Sequence, residues 1–459
     1  MQVTATWTGA QADALRQALR MTNESFAEHL GVAVRTVAYW RQRPDMIPQR
    51  QMQEVLDAAL DRASDRIKAQ FALLASETRD APEYEPDAGQ PFCIPLDAMT
   101  NRRWNGDDAR RLSLSFDAAL ERSAVEDIER LSHLWLISDP PHVIELSAGR
   151  RVSDALLSAV EHRVVQLRRA DDFITGAASR ELMRVELAAT VRLLSEGTLT
   201  DEQARRALTA IGELAQLGAW VAADAGLLDE AARYVRGGVL AARGAGNAPL
   251  AANLISTFSY QVANTENPNE AVVLALTAYQ GGRPDATPLG RALLLERVAW
   301  SAARSGDVRE CERALGMVEE SFSAGRMDDD PDWLYWLNRQ EIDVMAGRCY
   351  TELRNPARAE SLLTSAMARY DPALVRENSL YLSWLAEDYV QLGEIDHAAG
   401  IALQMAALAA RTNSARTDTR LRYLAKQLGP YRGVASVTEF FDEYQSVTVR
   451  EIPPPRQAD

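Results

Sequence analysis

The sequence predicts an all-α fold: a small N-terminal helical module followed by an α-solenoid of stacked helical hairpins. Three observations carry that prediction. Alanine and leucine dominate and aromatics are only 7% of the 459 residues, which favours helices over strands. Beyond residue 180 a turn-and-helix unit recurs at spacings of 40, 40, 48 and 39 residues. Between module and array, residues 79–106 (RDAPEYEPDAGQPFCIPLDAMTNRRWNG) hold four prolines, two glycines and no helical period, which marks a linker.

The module occupies residues 1–78. Thr8 and Gln11 have capping-box spacing and open a helix near residues 9–20. Thr22 stands as the N-cap of the next helix. In NESFAEHLGVAVRTVAYWRQ, residues 23–42, Phe26 and Leu30 lie four apart on one helical face. Ala27 is small enough for a second helix to cross closely. Gly31 falls where a helix end favours a left-handed residue. Val32, Val37 and Trp40 then bury the inner face of the second helix. After Pro48, PQRQMQEVLDAALDRA reads as a further amphipathic helix. This is a helix-turn-helix pattern, and over residues 8–63 it resembles the XRE family of bacterial DNA-binding domains, the Cro and phage-repressor type.

The resemblance implies double-stranded DNA as a partner, with the second helix in the major groove. Place by place, it implies that Val34, Arg35 and Tyr39 face the bases, with Ala38 beside them. Arg35 is placed for a bidentate contact to guanine and Val34 for a thymine methyl. Asn23 takes the place at the first helix's N-terminus where a phosphate sits. Thr36, Arg41 and Arg43 would contact the backbone and set register. The chain departs from the family at Ala33, which gives the second helix no side-chain cap, and at Arg41-Gln42-Arg43-Pro44, which adds positive charge. Residues 35–50 carry four arginines against one aspartate, while residues 1–78 balance at nine and nine. Such a module should bind weakly alone, so a homodimer is expected.

Helical patterning resumes at residue 107, and residues 107–180 read as connecting helices. SFDAALERSAVEDIERLSHLWLI, residues 115–137, reads as one amphipathic helix ended by Asp139-Pro140-Pro141. RRVSDALLSAVEHRVVQLRRADDF, residues 150–173, reads as another.

Residues 181–447 hold the repeats. AGLLDEAARYV, TENPNEAVVLA, SGDVRECERAL, LRNPARAESLL and LGEIDHAAGIA each join a short turn to a helix. A small residue stands near each helix start: Ala231, Ala271, Cys311, Ala359 and Ala398. Another helix precedes every turn, and two helices per unit in series make a solenoid. The pattern resembles degenerate tetratricopeptide repeats. Gly347, Tyr350, Ala359 and Ala366 fall on the usual spacing, and Tyr389 repeats the place of Tyr350. Helices near 417–428 and 437–446 would cap the array, and residues 448–459 read as a frayed tail. GVAVRTVAYW…MIPQRQMQEVLDAAL together with LRRADDFITGAASRELMRVELAATVRLL and the repeats resembles actinobacterial regulators that join an XRE-type module to a tetratricopeptide-like body. Peptide-sensing regulators of the RRNPP type share the architecture, by analogy alone.

In such repeats the first helix of each hairpin lines a concave groove. Counting back from the small residues places Gln216, Trp220, Asn253, Tyr260, Asn264, Glu296, Trp300, Arg304, Arg348 and Glu387 there. Trp220, Tyr260 and Trp300 recur at 40-residue steps. Packing between repeats accounts for such aromatics; so does a stacked stripe that grips a ligand. Asn253 and Asn264 are placed to hold a peptide backbone, since an amide both donates and accepts. Asp328-Asp329-Asp330-Pro331-Asp332 reads as a solvated turn, because EF-hand spacing is absent.

No motif of catalysis stands in the chain. There is no phosphate-binding GxxxxGK[ST], and Lys68 and Lys426 are the only lysines. GAG at 244–246 lacks the rest of a dinucleotide fingerprint. His29, His133, His142, His162 and His397 show no zinc spacing. No serine or cysteine stands in a GxSxG elbow. Cys93, Cys311 and Cys349 are scattered and odd in number, which fits a reducing cytosol and no disulfide framework. A net charge of −15 excludes a general polyanion binder, so any DNA contact must come from a local patch. No signal peptide or membrane span is visible.

The expectation is therefore a cytoplasmic, non-enzymatic, sequence-specific transcription regulator with no cofactor and no metal. Its repeat domain would dimerise and sense a peptide, small molecule or protein. The alternative is a protein-interaction scaffold whose DNA module is vestigial.

Overall fold

The computed structural model describes residues 7–19, 21–43, 46–63, 67, 68, 71, 103–120, 122–147, 149–173, 177–265, 268–412 and 414–449. They fall into two compact units, within Met1–Asp87 and within Ala88–Asp459.

The first unit contains α1 (Gly9–Ala18), α2 (Asn23–Leu30), α3 (Val34–Gln42) and α4 (Arg50–Asp61). Thr8 and Gln11 form the capping box. The Thr22 side chain accepts from the Ser25 N–H and caps α2. Gly31 closes α2 at φ 70°, a conformation that strains any residue with a Cβ. Ala33 opens α3 without a side-chain cap. Leu15, Phe26, Ala27, Leu30, Val37, Trp40 and Leu56 form the core, joined by Trp7 and Phe71. Trp7 is fully buried, and its Nε1 donates to Asp57 at 2.7 Å. Gly9 is where the start of α1 meets the end of α3. A Cβ there would lie 2.3 Å from the Arg43 carbonyl oxygen.

Residues 79–102 of the expected linker lie outside the described residues. Residues 103–106 are ordered: β1 (Arg103–Trp104) pairs in parallel with β2 (Val143–Ile144), and Trp104 is buried. β3 (Leu146–Ser147) and β4 (Arg150–Arg151) flank β5 (Gly197–Leu199). These short strands went unseen in the sequence, being two or three residues long. The fold is otherwise all-α.

The helix expected across residues 115–137 is two helices, α5 (Gly106–Asp117) and α6 (Ala124–Leu136). The break has a local and a distant cause. Ser123 and Glu126 form a capping box that starts α6 afresh. Arg236, 2% exposed, donates to the carbonyls of Ser115, Ala118 and Ala119 and so holds the end of α5. α7 (Asp154–Asp171) starts after its cap, Ser153, and α8 (Ala177–Glu196) runs across the expected boundary at 180.

Five hairpins follow: α9 (Asp201–Asp224) with α10 (Leu228–Ala245), α11 (Ala248–Ala263) with α12 (Pro268–Gly282), α13 (Pro288–Arg304) with α14 (Val308–Ser323), α15 (Arg339–Glu352) with α16 (Pro356–Met367), and α17 (Val375–Leu392) with α18 (Ile395–Ala409). α19 (Ala415–Leu428) and α20 (Ala435–Val449) end the array. Ala231, Ala271, Cys311, Ala359 and Ala398 are each the fourth residue of the second helix and each at most 1% exposed. A larger side chain there would push the hairpin apart. In four of the five turns the residue five places earlier takes a positive φ, Gly226, Gly306 and Gly393 at 79° and Arg354 at 57°, and the equivalent of Ala271 lies outside the described residues. One hydrophobic core runs through the first hairpins and a second through α17–α20.

Candidate functional site

Two places gather the residues that sequence reasoning singled out. The first is the outer face of α3. Val37 and Trp40 turn inward at 3% exposure, while Val34 and Tyr39 stand 44% exposed on the opposite side. Arg35, Arg41 and Arg43 are exposed, and Thr36 and Asn23 are half-buried. Along the helix, Val34, Arg35, Ala38 and Tyr39 fall at i, i+1, i+4 and i+5, so they share one face. The Arg43 guanidinium lies 5.4 Å from the Tyr39 ring centroid. Nine residues at 1.5 Å each give a helix about 14 Å long, with a width that a major groove admits.

The second place is the inner surface of the array. Trp220 stacks on Tyr260 with ring centroids 6.1 Å apart, and Tyr260 lies 6.2 Å from Trp300. Trp300 meets Trp384 edge-on at 5.3 Å. Arginines cover this stripe. Arg416 sits 4.5 Å from Trp220, Arg297 4.7 Å from Tyr260, Arg348 4.4 Å from Trp300 and Arg420 3.6 Å from Trp384. Arg348 also donates to the Tyr260 hydroxyl at 2.8 Å. Burial raises the Tyr260 phenol, but Arg348, Arg416 and Arg297 outweigh it and bring it down to about 8.

The sequence placed ten residues on the wall of an open groove, and the structure differs. Asn253, Tyr260, Glu296, Trp300, Arg348 and Glu387 are buried. Gln216, Trp220 and Arg304 are half-buried, and only Asn264 is exposed. The reason is that other helices fold onto the inner surface. Arg416 of α19 pairs with Asp224 of α9 at 2.5 Å, and Ser414 donates to the same carboxylate. Arg420 and Tyr423 hold Glu387 of α17 at 2.7 and 2.8 Å. At the end of α7, Arg168 and Arg169 pair with Asp332, and Asp171 faces Arg376 at 3.6 Å. Asp332, read as part of a solvated turn, is thus a bridge. Asn264 turns its amide onto the Tyr260 carbonyl at 2.6 Å, and Arg304 holds the Ala263 carbonyl and Glu352, so both act as local clamps. Gln216 donates to Thr257 at 3.4 Å.

Sequence reasoning missed Arg297, Trp384, Arg416 and Arg420. Trp384 had a signal: it stands one turn before Glu387 on the same helical face. Arg416 and Arg420 had none, because they reach the stripe only through the return of α19. Among the described residues no group of three acidic, histidine or cysteine side chains is arranged for a metal, and no helix is long and apolar enough to cross a membrane.

No protein-family model and no curated protein matches the chain. Among solved structures, the chain is similar to a signal transduction ATPase with numerous domains (STAND) protein with a tetratricopeptide repeat sensor from Pyrococcus horikoshii. That likeness has a TM-score of 0.37 at 11% identity, over 96% of this chain and 63% of the other. The chain thus spans less than two thirds of that protein's length.

Proposed function

We propose that the chain is a sequence-specific DNA-binding transcription regulator of the XRE type, whose helical-repeat domain dimerises and senses a ligand or partner. The division of α3 into a buried and a bare face carries this reading. Phe26, Ala27, Leu30, Val37 and Trp40 are spent on the core, while Val34, Arg35 and Tyr39 are exposed, with the Arg43 guanidinium lying over the Tyr39 ring. A helical hairpin that merely packs has no need of a protruding face of arginine, tyrosine and valine. Two copies would bring two such helices to half-sites about one or more helical turns apart. The ligand acts by binding one arrangement of the two halves better than the other.

The alternative is an interaction scaffold with an idle module, and Arg35→Ala separates the two. On a duplex selected from random DNA, the regulator loses about 1–3 kcal/mol, and the loss concentrates at one base position. Unchanged affinity and preference in that variant refute the assignment of Arg35.

A further inference from the structure

The interior of the array contains charge that the fold does not neutralise. Five buried or nearly buried arginines line it, and three have carboxylates. Arg376 has Asp171 and Glu377, Arg416 has Asp224, and Arg420 has Glu387. Arg297 and Arg348, 6% and 4% exposed, form no ion pair among the described residues. Their guanidinium groups lie 4.7 and 5.5 Å from the same Tyr260 ring centroid, and the charge on Arg348 disfavours that on Arg297. A buried guanidinium is strongly disfavoured without an anion.

Four buried donors on these arginines and on the indoles that Arg348 lies over are uncommitted. The Nε atoms of Arg297 and Arg348 and the Nε1 atoms of Trp300 and Trp384 are buried without a partner. Each belongs to a side chain at least nine-tenths buried. Both oxygens of Glu296, the acid nearest in sequence, are likewise unpartnered, and burial pushes its carboxyl up to about 8 against the pull of Arg297 and Arg348. It forms no ion pair with either guanidinium among the described residues.

We infer that this interior binds an oxyanion, a carboxylate or phosphate group of a small ligand or peptide end, held between Arg297 and Arg348 with the Trp300 and Trp384 indoles as neutral donors. Two guanidinium forks offer the paired N–H groups that carboxylate and phosphate accept. The indole faces give an apolar wall for whatever carries the anion. Access requires α19 to leave Asp224 and Glu387, because Ser414, Arg416, Arg420 and Tyr423 close that side. This names the ligand class of the sensor proposed above and rests on that reading only for its link to DNA.

The test is thermal melting of the full-length chain, with no DNA present, so its failure is distinct from failure of DNA binding. The probes are inorganic phosphate, a mixed-sequence hexapeptide pool with free C-termini, and the same pool amidated, all against sodium chloride at matched ionic strength. Wild type is expected to melt higher in a dose-dependent way with phosphate or with the free-acid pool; which one responds identifies the source. Arg297→Met and Arg348→Met are expected to weaken the apparent affinity at least about tenfold. Ligand-free, Arg297→Met should melt at or above wild type, because it removes a buried guanidinium that has no ion pair among the described residues, whereas Arg348→Met also gives up the hydrogen bond to the Tyr260 hydroxyl and should melt lower. A wild type that answers none of the probes overturns the inference. So does a variant that responds like wild type, or an Arg297→Met variant whose ligand-free form melts well below it.

Discussion

Replacing Glu296 with glutamine gives a stability effect whose sign depends on pH. Glu296 is 1% exposed, and burial raises its carboxyl from 4.5 to about 8. The folded state therefore holds the proton more tightly than the unfolded state between those two values. The stability this confers is fully present below about pH 4.5 and is lost as pH rises through 8. At about 1.4 kcal/mol per pH unit, ionising the group inside the fold costs on the order of 5 kcal/mol. Glutamine keeps the shape and cannot ionise. Near pH 5, wild type and Glu296→Gln should unfold at nearly the same urea concentration. By pH 9 the variant should be more stable by an amount of that order. Burial also raises Glu341, Asp388, Asp171 and Asp172, so wild type alone does not isolate Glu296. The difference between the two proteins does. Urea unfolding followed by tryptophan fluorescence at pH 5, 7 and 9 measures it. A difference that stays constant with pH means that Glu296 ionises as an exposed acid does, and the burial argument fails.

Three further substitutions, one of them with a rescue, test the fold. Arg354, exposed in a left-handed turn that the equivalent positions 226, 306 and 393 fill with glycine, should be improved by Arg354→Gly. The gain is expected at a few tenths to about 1 kcal/mol, read as a higher melting temperature; a lower one contradicts the assigned turn. Gly31→Ala places a Cβ at φ 70° and should cost the first unit about 1 kcal/mol by the same measurement, although nothing lies within 4 Å to clash with it. At Gly237 an added Cβ would lie 2.3 Å from the Phe116 ring, so Gly237→Ala should destabilise by about 1–3 kcal/mol, and Phe116→Leu should restore part of the loss. If Phe116→Leu restores none of it, α5 does not pack on α10 as described.

The sequence was readable wherever structure is decided within a few residues. Thr8 with Gln11, Thr22 and Gly31 act on backbone groups three or four places away, so spacing alone placed α1 and α2. The repeat was readable for a different reason. Ala231, Ala271, Cys311, Ala359 and Ala398 meet the same steric demand, and meeting it five times leaves a period. What escaped depends on contacts between distant segments. The break between α5 and α6 is fixed partly by Arg236, 118 residues beyond Ala118. Asp332 looked like one more solvated acid until Arg168 and Arg169 closed on it. The aromatic stripe was legible as a stripe. Its burial was not, because nothing in α19 announces that Arg416 and Arg420 return to Trp220 and Trp384.

The exposed side of α3 is the part of the account on which the proposed function stands. Fluorescence anisotropy of the full-length chain at physiological salt tests it most directly, using the best duplex recovered from a random pool against a scrambled duplex of equal length. The selected duplex should bind at least about a thousandfold more tightly than the scrambled one. Equal affinity for the two, or no binding to either, would contradict it.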